Sequence, residues 1–418
     1  MRVLQIHNKY LEKGGEDTVV ANERQLLQTH GHAVELCEFD NLDLEGLSKI
    51  KLLQKTLFNR QSYRKVVEHI EAFKPDMVHI HNVYYDASAA IFWAIKRKKV
   101  PAVMTIHNYR LGCIQGLLFR ENAICRLCLD KKTSFYGLKH RCFKESFIKS
   151  LQLTLVNKIN QWTIRFANPV KTYIFLAEFT KQLLSPILGL KEESFEFRVS
   201  GFESPANSKP ETQNSKPNSK PKTQNSKLKS NYVNDFGFSP QSERADFYLF
   251  VGRLNEQKGV KLLVETFKKN GKRLELIGSG PLDDYVKEAA QTHPNIHYLG
   301  YLKGDAIIEK LKKTKALIVP SLTYEGQPMT ILEAFSTGTP VLVANTKNLD
   351  TLISEGQNGF LFDTTNNDSL PETVALFEKT DHTYMYASAR KTYEENFSPL
   401  SNYTQLMAIY SNAATNQI

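Results

Sequence analysis

The sequence predicts an α/β protein of two units, each built on a parallel sheet covered by helices. Three observations lead there. Short apolar runs alternate with longer amphipathic stretches through both halves, the pattern of repeated βαβ crossovers. The runs are continuously apolar rather than alternating, as in sheets buried on both faces. The chain's 418 residues also exceed what a single hydrophobic core ordinarily organises.

In chain order, the strand candidates of the first half are Val3–Ile6, Val34–Glu38, Met77–Ile80, Ala102–Ile106 and Tyr173–Leu176. Those of the second half are Phe247–Val251, Arg273–Ile277, Ile296–Leu299, Ala316–Val319 and Val341–Ala344. Helical stretches such as Val19–Thr29 and Val260–Lys269 lie between them. Asn-Ser-Lys-Pro recurs at 207, 214 and 218, and Thr-Gln at 212 and 223. A tract of this composition buries too little apolar surface to offset its ordering entropy and is expected to be disordered. The expected division is a first unit over 1–200, a low-complexity inter-domain segment over 201–245 and a second unit over 246–395. A terminal amphipathic helix within 396–418, read over Ser398–Ala413, is expected to fold back on the first unit.

Apolar residues make up 41% and aromatic residues 11% of the chain, enough for ordinary cores. No apolar run reaches the roughly 18–20 residues a membrane-spanning helix needs; the best, Ala87–Ile95, ends in Lys96-Arg97-Lys98-Lys99. Met1–Ile6 reads directly as a buried strand rather than as a secretory leader, so a cytoplasmic protein is expected. The net charge is +10, and between 207 and 231 six lysines stand against one acid, Glu211, so half of the excess sits in the repeats. Basic surface suits an anionic membrane face or an acidic ligand as well as simple solvation. No nucleic-acid recognition motif accompanies the charge, and no nucleic-acid partner is expected.

The densest chemical signals lie in the second half. Phe250-Val251-Gly252-Arg253-Leu254 ends a strand, and Asn255-Glu256-Gln257-Lys258-Gly259-Val260 opens a helix. A glycine, an arginine and a lysine at such a junction suit a phosphate, which backbone N–H groups and the positive helix end also attract. Farther on, Val319-Pro320-Ser321 leads into Tyr324-Glu325-Gly326-Gln327-Pro328-Met329-Thr330-Ile331-Leu332-Glu333-Ala334. Glu325 is placed in the loop after the strand and Glu333 two turns into the next helix, facing the same crevice. A loop acid at a reacting sugar and a helix acid on ribose hydroxyls would suit a nucleotide sugar. Two exposed acids flanking a helix N-terminus would give the same pattern.

These segments, with Ile277-Gly278-Ser279-Gly280-Pro281, Gly338-Thr339-Pro340-Val341 and Glu355-Gly356-Gln357-Asn358-Gly359-Phe360-Leu361, resemble the GT4-type retaining glycosyltransferases. The resemblance covers nearly the whole second half. It implies a GT-B fold, two Rossmann-like domains whose parallel sheets face a central cleft. It implies that Arg253 and Lys258 neutralise the donor diphosphate, that Glu325 contacts the donor sugar and that Glu333 binds the ribose. Gly252, Gly326, Pro328, Met329 and Thr330 would approach sugar and phosphates closely. Many relatives carry an aromatic residue where this chain has Gln327. The expected donor is a nucleotide-diphosphate sugar, with no essential catalytic metal. Competing readings are a nucleotide-sugar epimerase of the same fold and a non-catalytic sugar- or polyanion-binding protein.

In the first half, His7-Asn8-Lys9-Tyr10-Leu11-Glu12-Lys13-Gly14-Gly15-Glu16-Asp17 follows the first strand. Its glycine pair lets backbone N–H groups approach an anion. Because it is no GxGxxG fingerprint, a dinucleotide cofactor is disfavoured. By resemblance, Gly14 and Gly15 touch the donor phosphate from the opposite domain. His107, at the carboxyl end of the fourth strand, lies where α/β sheets bind ligands, and by resemblance it contacts the donor sugar. Cys113, Cys125, Cys128 and Cys142 include a Cys-x-x-Cys pair with two flanking cysteines, a spacing that suits a structural, closed zinc site. Four unrelated reduced thiols are the alternative. The run His107–Cys113, continued by His140-Arg141-Cys142, resembles a bacterial subgroup that builds capsule, exopolysaccharide and O-antigen chains, which implies a glycan or lipid-linked saccharide acceptor. Phe147, Leu151, Leu155, Ile159, Trp162 and Phe166 recur at helical spacing. A core-packing helix is expected there; a helix lying on an anionic membrane beside Lys144, Lys149 and Lys158 is the alternative.

Overall fold

A computed structural model describes residues 1–10, 14–167, 169–190 and 225–415. The first sheet contains β1 (Arg2–Lys9), β2 (Ala33–Asp40), β3 (Met77–Ile80) and β4 (Ala102–Ile106). A two-stranded hairpin, β5 (Phe119–Arg120) and β6 (Ala123–Ile124), then departs from it, and β7 (Thr172–Phe175) and β8 (Asn225–Leu228) complete it. The strand order is β2-β1-β3-β4-β7-β8, parallel throughout. The second sheet runs through β9 (Tyr248–Val251), β10 (Leu274–Ile277), β11 (Ile296–Tyr298), β12 (Ala316–Val319), β13 (Val341–Ala344) and β14 (Gly359–Phe362). Its order, β11-β10-β9-β12-β13-β14, is likewise parallel. Both orders reverse direction beside their first strand. That reversal opens a crevice at the carboxyl ends of the strands.

Successive strand residues serve opposite layers. In the first sheet Ile6, Val78, Ile80, Met104, Tyr173 and Phe175 pack on one face beneath the helices Arg60–Phe73 and Ala90–Lys98. Val3, Met77, Val103 and Ile174 face the other way, onto Leu406, Ile409, Tyr410 and Ala413 of the terminal helix Pro399–Thr415. The last helix thus covers a face of the first sheet. The second sheet repeats the scheme, Phe250, Leu276, Ile318 and Leu342 on one side, Leu249, Leu317, Val319 and Val343 on the other.

Two sequence expectations change. The low-complexity segment is not wholly without structure. Asn225–Leu228 adds a parallel strand to β7, with Ile174 opposite Lys227 and Phe175 opposite Leu228. Strand pairing satisfies the open edge of β7 through the backbone and does not require apolar side chains. Just beyond, Lys229 is buried against Glu23, and Tyr232 and Val233 enter cores. Residues 191–224, with most of the repeats, lie outside the described residues. The second change concerns the helix Phe147–Ala167. Five of the residues expected in a core, Phe147, Leu151, Leu155, Trp162 and Phe166, are exposed. The buried face mixes Ser150, Thr154, Asn157, Asn160 and Thr163 with Leu153, Val156, Ile164 and Ala167; Val156 and Ile164 join the core, while Asn157 and Gln161 reach backbone carbonyls.

Candidate active site between the two sheets

The site begins with the turn that follows β9. Asn255 Oδ1 accepts a 3.0 Å hydrogen bond from the Lys258 backbone and closes the turn Glu256–Lys258. Gly259 then takes φ +69°, and a Cβ there would lie 1.9 Å from the Pro320 carbonyl oxygen. Only glycine allows the two strand-end loops to approach this closely. Leu322 N donates to the Gln257 carbonyl at 2.8 Å and locks them together. Lys258 is thereby carried to Glu325, with Nζ 2.6 Å from Oε1, and Ser321 Oγ donates to the same oxygen at 2.7 Å. Burial pushes the Glu325 carboxyl up, but the Lys258 cation and these two hydrogen bonds prevail and hold it below the usual carboxylate range. Glu325 is an anion at neutral pH. Under Gly252 the backbone is equally close: Gly278, at φ +143°, would place a Cβ 1.8 Å from the Gly252 carbonyl oxygen. Arg253 follows on the exposed side of that turn.

The Glu325 loop touches the opposite sheet. A Cβ at Gly326 would stand 3.1 Å from the His107 carbonyl oxygen, and one at Gly15 would stand 3.7 Å from Met329 Cγ. Pro328 caps the helix Met329–Ser336, and Gly14 caps the helix Gly15–Thr29. Two helix N-termini therefore converge on one gap, with Thr330 in the first turn of one of them. Positive helix ends favour an anion there, although Asp17 Oδ2 already accepts from the Gly14 N–H at 2.8 Å. Asn348 ties the halves, its Nδ2 reaching the Glu325 carbonyl at 2.7 Å, the Tyr109 hydroxyl at 2.8 Å and Thr180 Oγ1 at 3.0 Å. Gln327 is buried and accepts from the Asn231 backbone at 2.5 Å, so it anchors the chain segment that joins the sheets. Glu333 is the fifth residue of its helix, one turn in rather than two. It has no ion-pair or hydrogen-bond partner among the described residues, and burial pushes its carboxyl up to about 7.

On the first sheet, His107 at the end of β4 is one of a buried cluster. His107 Nε2 lies 3.1 Å from His81 Nδ1. His81 and His79 lie 3.4 and 3.5 Å from Glu23 Oε2, whose other oxygen meets Lys229 Nζ at 2.6 Å. Burial pushes His107 down to about 3, and His79 and His81 also fall well below the ordinary imidazole range. All three are neutral. Glu23, His79 and His81 are the one group of metal-type ligands gathered within 4.8 Å among the described residues, but the Lys229 ammonium already supplies the cation. His79 is further engaged by the Tyr410 hydroxyl and by Thr105 Oγ1, each at 2.8 Å. None of Glu23, His79, His81 and Lys229 stood out in the sequence. The alternation His79-Ile80-His81 at a strand's carboxyl end was the available signal. Nearby, Glu16, Asn108, Arg110, Tyr10 and Tyr85 form a polar wall: Asn108 Nδ2 donates to Glu16 Oε1 at 2.6 Å and Arg110 to the Tyr85 hydroxyl at 2.7 Å.

The four cysteines singled out by spacing come together as the lining of one small cavity, with Ile114, Tyr136 and His140 among its other walls. Their thiols interact electrostatically with one another, although they are not gathered as tightly as the histidine group.

Two facing Rossmann-like domains with anion-attracting turns and a part-buried Lys258–Glu325 pair beside the cleft define a GT-B protein. Residues 13–196 match the family model described as Glycosyltransferase Family 4, and residues 234–395 match Glycosyl transferases group 1. The chain is a glycosyltransferase and belongs to the GT4 type. An uncharacterized glycosyltransferase of Methanocaldococcus jannaschii is 26% identical over 65% of this chain and 70% of its own. A UDP-Gal:alpha-D-GlcNAc-diphosphoundecaprenol alpha-1,3-galactosyltransferase of Escherichia coli is 32% identical over 32% of this chain and 36% of its own. Among solved structures, Anabaena HepE in complex with UDP superposes with a TM-score of 0.61 at 17% identity, covering 99% of this chain and 100% of that one. The lipopolysaccharide outer core galactosyltransferase WaaB in its apo form gives 0.60 at 17%, with coverage of 99% and 100%.

Proposed function

We propose that this protein is a retaining glycosyltransferase that moves a sugar from a nucleotide-diphosphate donor to a glycan or lipid-linked saccharide in bacterial surface polysaccharide synthesis, at the inner face of the cytoplasmic membrane. One observation carries the reading: Lys258 and Glu325 are paired at 2.6 Å on the loop that meets His107 and Gly15 of the other domain. The donor diphosphate fits between the two helix N-termini, where Arg253 and Lys258 add cations. Lys258 then divides its charge between Glu325 and the phosphate. As the sugar C1–O bond to phosphate breaks, charge grows on the leaving diphosphate, and preorganised donors stabilise it there. The acceptor oxygen bonds to C1 on the same face and its proton passes to the departing phosphate oxygen. Glu325, already engaged by Lys258 and Ser321, binds the donor sugar rather than attacking it. His107, neutral, offers the sugar a hydrogen-bonding group without adding charge. The names of the relatives and neighbours that act on or bind galactosyl donors and UDP favour a uridine nucleotide.

The test is donor binding and slow hydrolysis across a panel of nucleotide sugars, with Glu325→Ala and Arg253→Ala alongside. One donor hydrolysed by the wild type and by neither variant supports transfer. Binding without turnover in any protein points to a sugar-binding role, and no binding at all sinks the reading.

The four thiols belong to the same proposal as a structural element. Residues 113–146 hold only a two-residue hairpin and helices of four and five residues, too little regular structure to fix a loop beside the acceptor wall. Four cysteine sulfurs are a donor set suited to zinc, and such a site is closed to catalysis. The purified protein should carry about one zinc per chain by elemental analysis, lost in Cys125→Ser/Cys128→Ser. A metal-free protein with unchanged thermal stability after chelation would mean four independent thiols.

A further inference from the structure

The helix Phe147–Ala167 exposes an apolar stripe that a solvated surface does not call for. A water-facing helix turns its polar residues outward. Here the outward face carries Phe147, Ile148, Leu151, Leu155, Trp162 and Phe166, with Ile148 exposed to 66%, Trp162 to 52% and Phe166 to 69%. The inward face mixes Leu153, Val156, Ile164 and Ala167 with polar residues, and two polar side chains of the helix hold the loop beside the site. Asn157 Nδ2 donates to the Arg110 carbonyl at 2.6 Å and its Oδ1 accepts from Tyr84 at 2.8 Å. Gln161 donates to the Leu111 carbonyl at 2.5 Å. One face thus anchors the helix to the protein, while six large apolar residues of the other are left to something else. Contiguous exposed apolar patches of this kind mark interaction surfaces.

The patch extends beyond one helix. Trp93 stands 6.1 Å, ring centre to ring centre, from Trp162, which stands 5.6 Å from Phe166. These are the chain's only two tryptophans. The helix Lys49–Leu57, joined through a 2.9 Å hydrogen bond from Gln152 to Thr56, exposes Ile50 and Leu53. Around this apolar area basic side chains predominate, although Glu145 is exposed just before the helix. The helix Phe147–Ala167 contains no aspartate or glutamate; Lys149 and Lys158 are exposed on it, Lys49 and Lys51 on its neighbour, and Lys96 and Arg97 beside Trp93.

We propose that this face is a membrane-docking surface, in which the helix Phe147–Ala167 lies in the headgroup region of an anionic bilayer with its aromatic and aliphatic side chains inserted. Apolar residues flanked by lysines, with tryptophan at the boundary, are the composition that binds such an interface. A second copy of the chain fits poorly, because a self-complementary contact would set Lys149 and Lys158 against their own counterparts. No helix among the described residues is long and apolar enough to cross a membrane, so the attachment is peripheral. Through Asn157 and Gln161 the docked helix holds the loop after His107, which turns the polar wall of Glu16, Asn108 and Arg110 toward lipid-borne substrate. The inference rests on the helix alone, and its failure would leave the transfer reading intact.

The test uses the full-length protein with phosphatidylglycerol/phosphatidylcholine vesicles and with phosphatidylcholine alone, followed by co-sedimentation and tryptophan emission. Binding to the anionic vesicles with a blue shift, weakened about tenfold on neutral vesicles or in high salt, is expected. Ile148→Ser/Phe166→Ser, at two strongly exposed positions, should lose about tenfold or more in vesicle affinity while hydrolysing donor at the wild-type rate. No binding by the wild type, or equal binding by the variant, overturns the proposal. So does a dimer in solution that the variant converts to monomer, since the occupant is then a second copy.

Discussion

The two walls of the cleft are built by different means. On the second sheet the candidate groups come from short, contiguous segments: Lys258 and Gly259 from one turn, Glu325 to Thr330 from one loop. On the first sheet His107 depends on residues gathered from the whole chain, namely Glu23, His79, His81, Lys229 and Tyr410. Local turn chemistry sets the first arrangement, and long-range burial sets the second. The difference teaches that the second wall should fail through chemistry when altered and the first through stability.

The largest effect expected is on the buried network. Glu23 and Lys229 are each about 1% exposed and paired at 2.6 Å. Removing one partner leaves an uncompensated buried charge, at a cost of roughly 3–5 kcal/mol. Lys229→Met should lower the melting temperature sharply, and Glu23→Gln/Lys229→Met should restore part of the loss. If the single variant melts like the wild type, the first wall does not depend on this pair and the comparison fails.

On the opposite wall, Lys258→Ala should cost turnover rather than fold. Lys258 is about one-third exposed, so its ion pair contributes little stability. Its loss at a developing charge is expected to reduce turnover about 10²–10³-fold, with little change in melting. Loss of both together would place Lys258 among the structural residues instead.

The buried histidines give a third, pH-dependent contrast. Burial holds His79, His81 and His107 below their ordinary pKa of 6.5. In the unfolded chain these imidazoles take up protons as pH falls through about 6.5, and in the folded protein they do not. Stability is therefore fully present above that pH and is lost below it, by up to about 1.4 kcal/mol per pH unit for each histidine. Denaturant midpoints should fall steeply from pH 6.5 to 5. A flat profile over that window would mean that the cluster opens and titrates while folded.

The same division explains what could be read in advance. Ten strands were legible because apolar runs with β-branched residues declare themselves. The eleventh and twelfth sheet strands were not: Asn225–Leu228 pairs by backbone within a lysine-rich tract, and Gly359–Phe362 begins with a glycine forced by the Val341 carbonyl, 2.1 Å from where its Cβ would be. The Lys258 and Glu325 segments were legible because glycines and charges cluster at strand ends. Lys229 and Glu23 were not, since a contact across 206 residues leaves no local trace. The spacing of Phe147 to Phe166 correctly announced a helix but could not say which side would face water. That depends on what the opposite surface offers, here the carbonyls of Arg110 and Leu111.

The smallest expected effect belongs to Glu333. Its carboxyl is pushed up to about 7 by burial and has no partner. If ribose hydroxyls supply the missing donors, they stabilise the carboxylate, lower its pKa and release a proton on binding near neutrality. Nucleotide affinity should then rise with pH, by about threefold to tenfold from pH 6 to 8. Calorimetry in two buffers of different ionisation enthalpy reads the released proton directly. Glu333→Gln should bind more weakly, with no proton release and a flat profile. Proton release that survives the substitution would assign the ribose to another group and leave Glu333 as a buried acid of the helix alone.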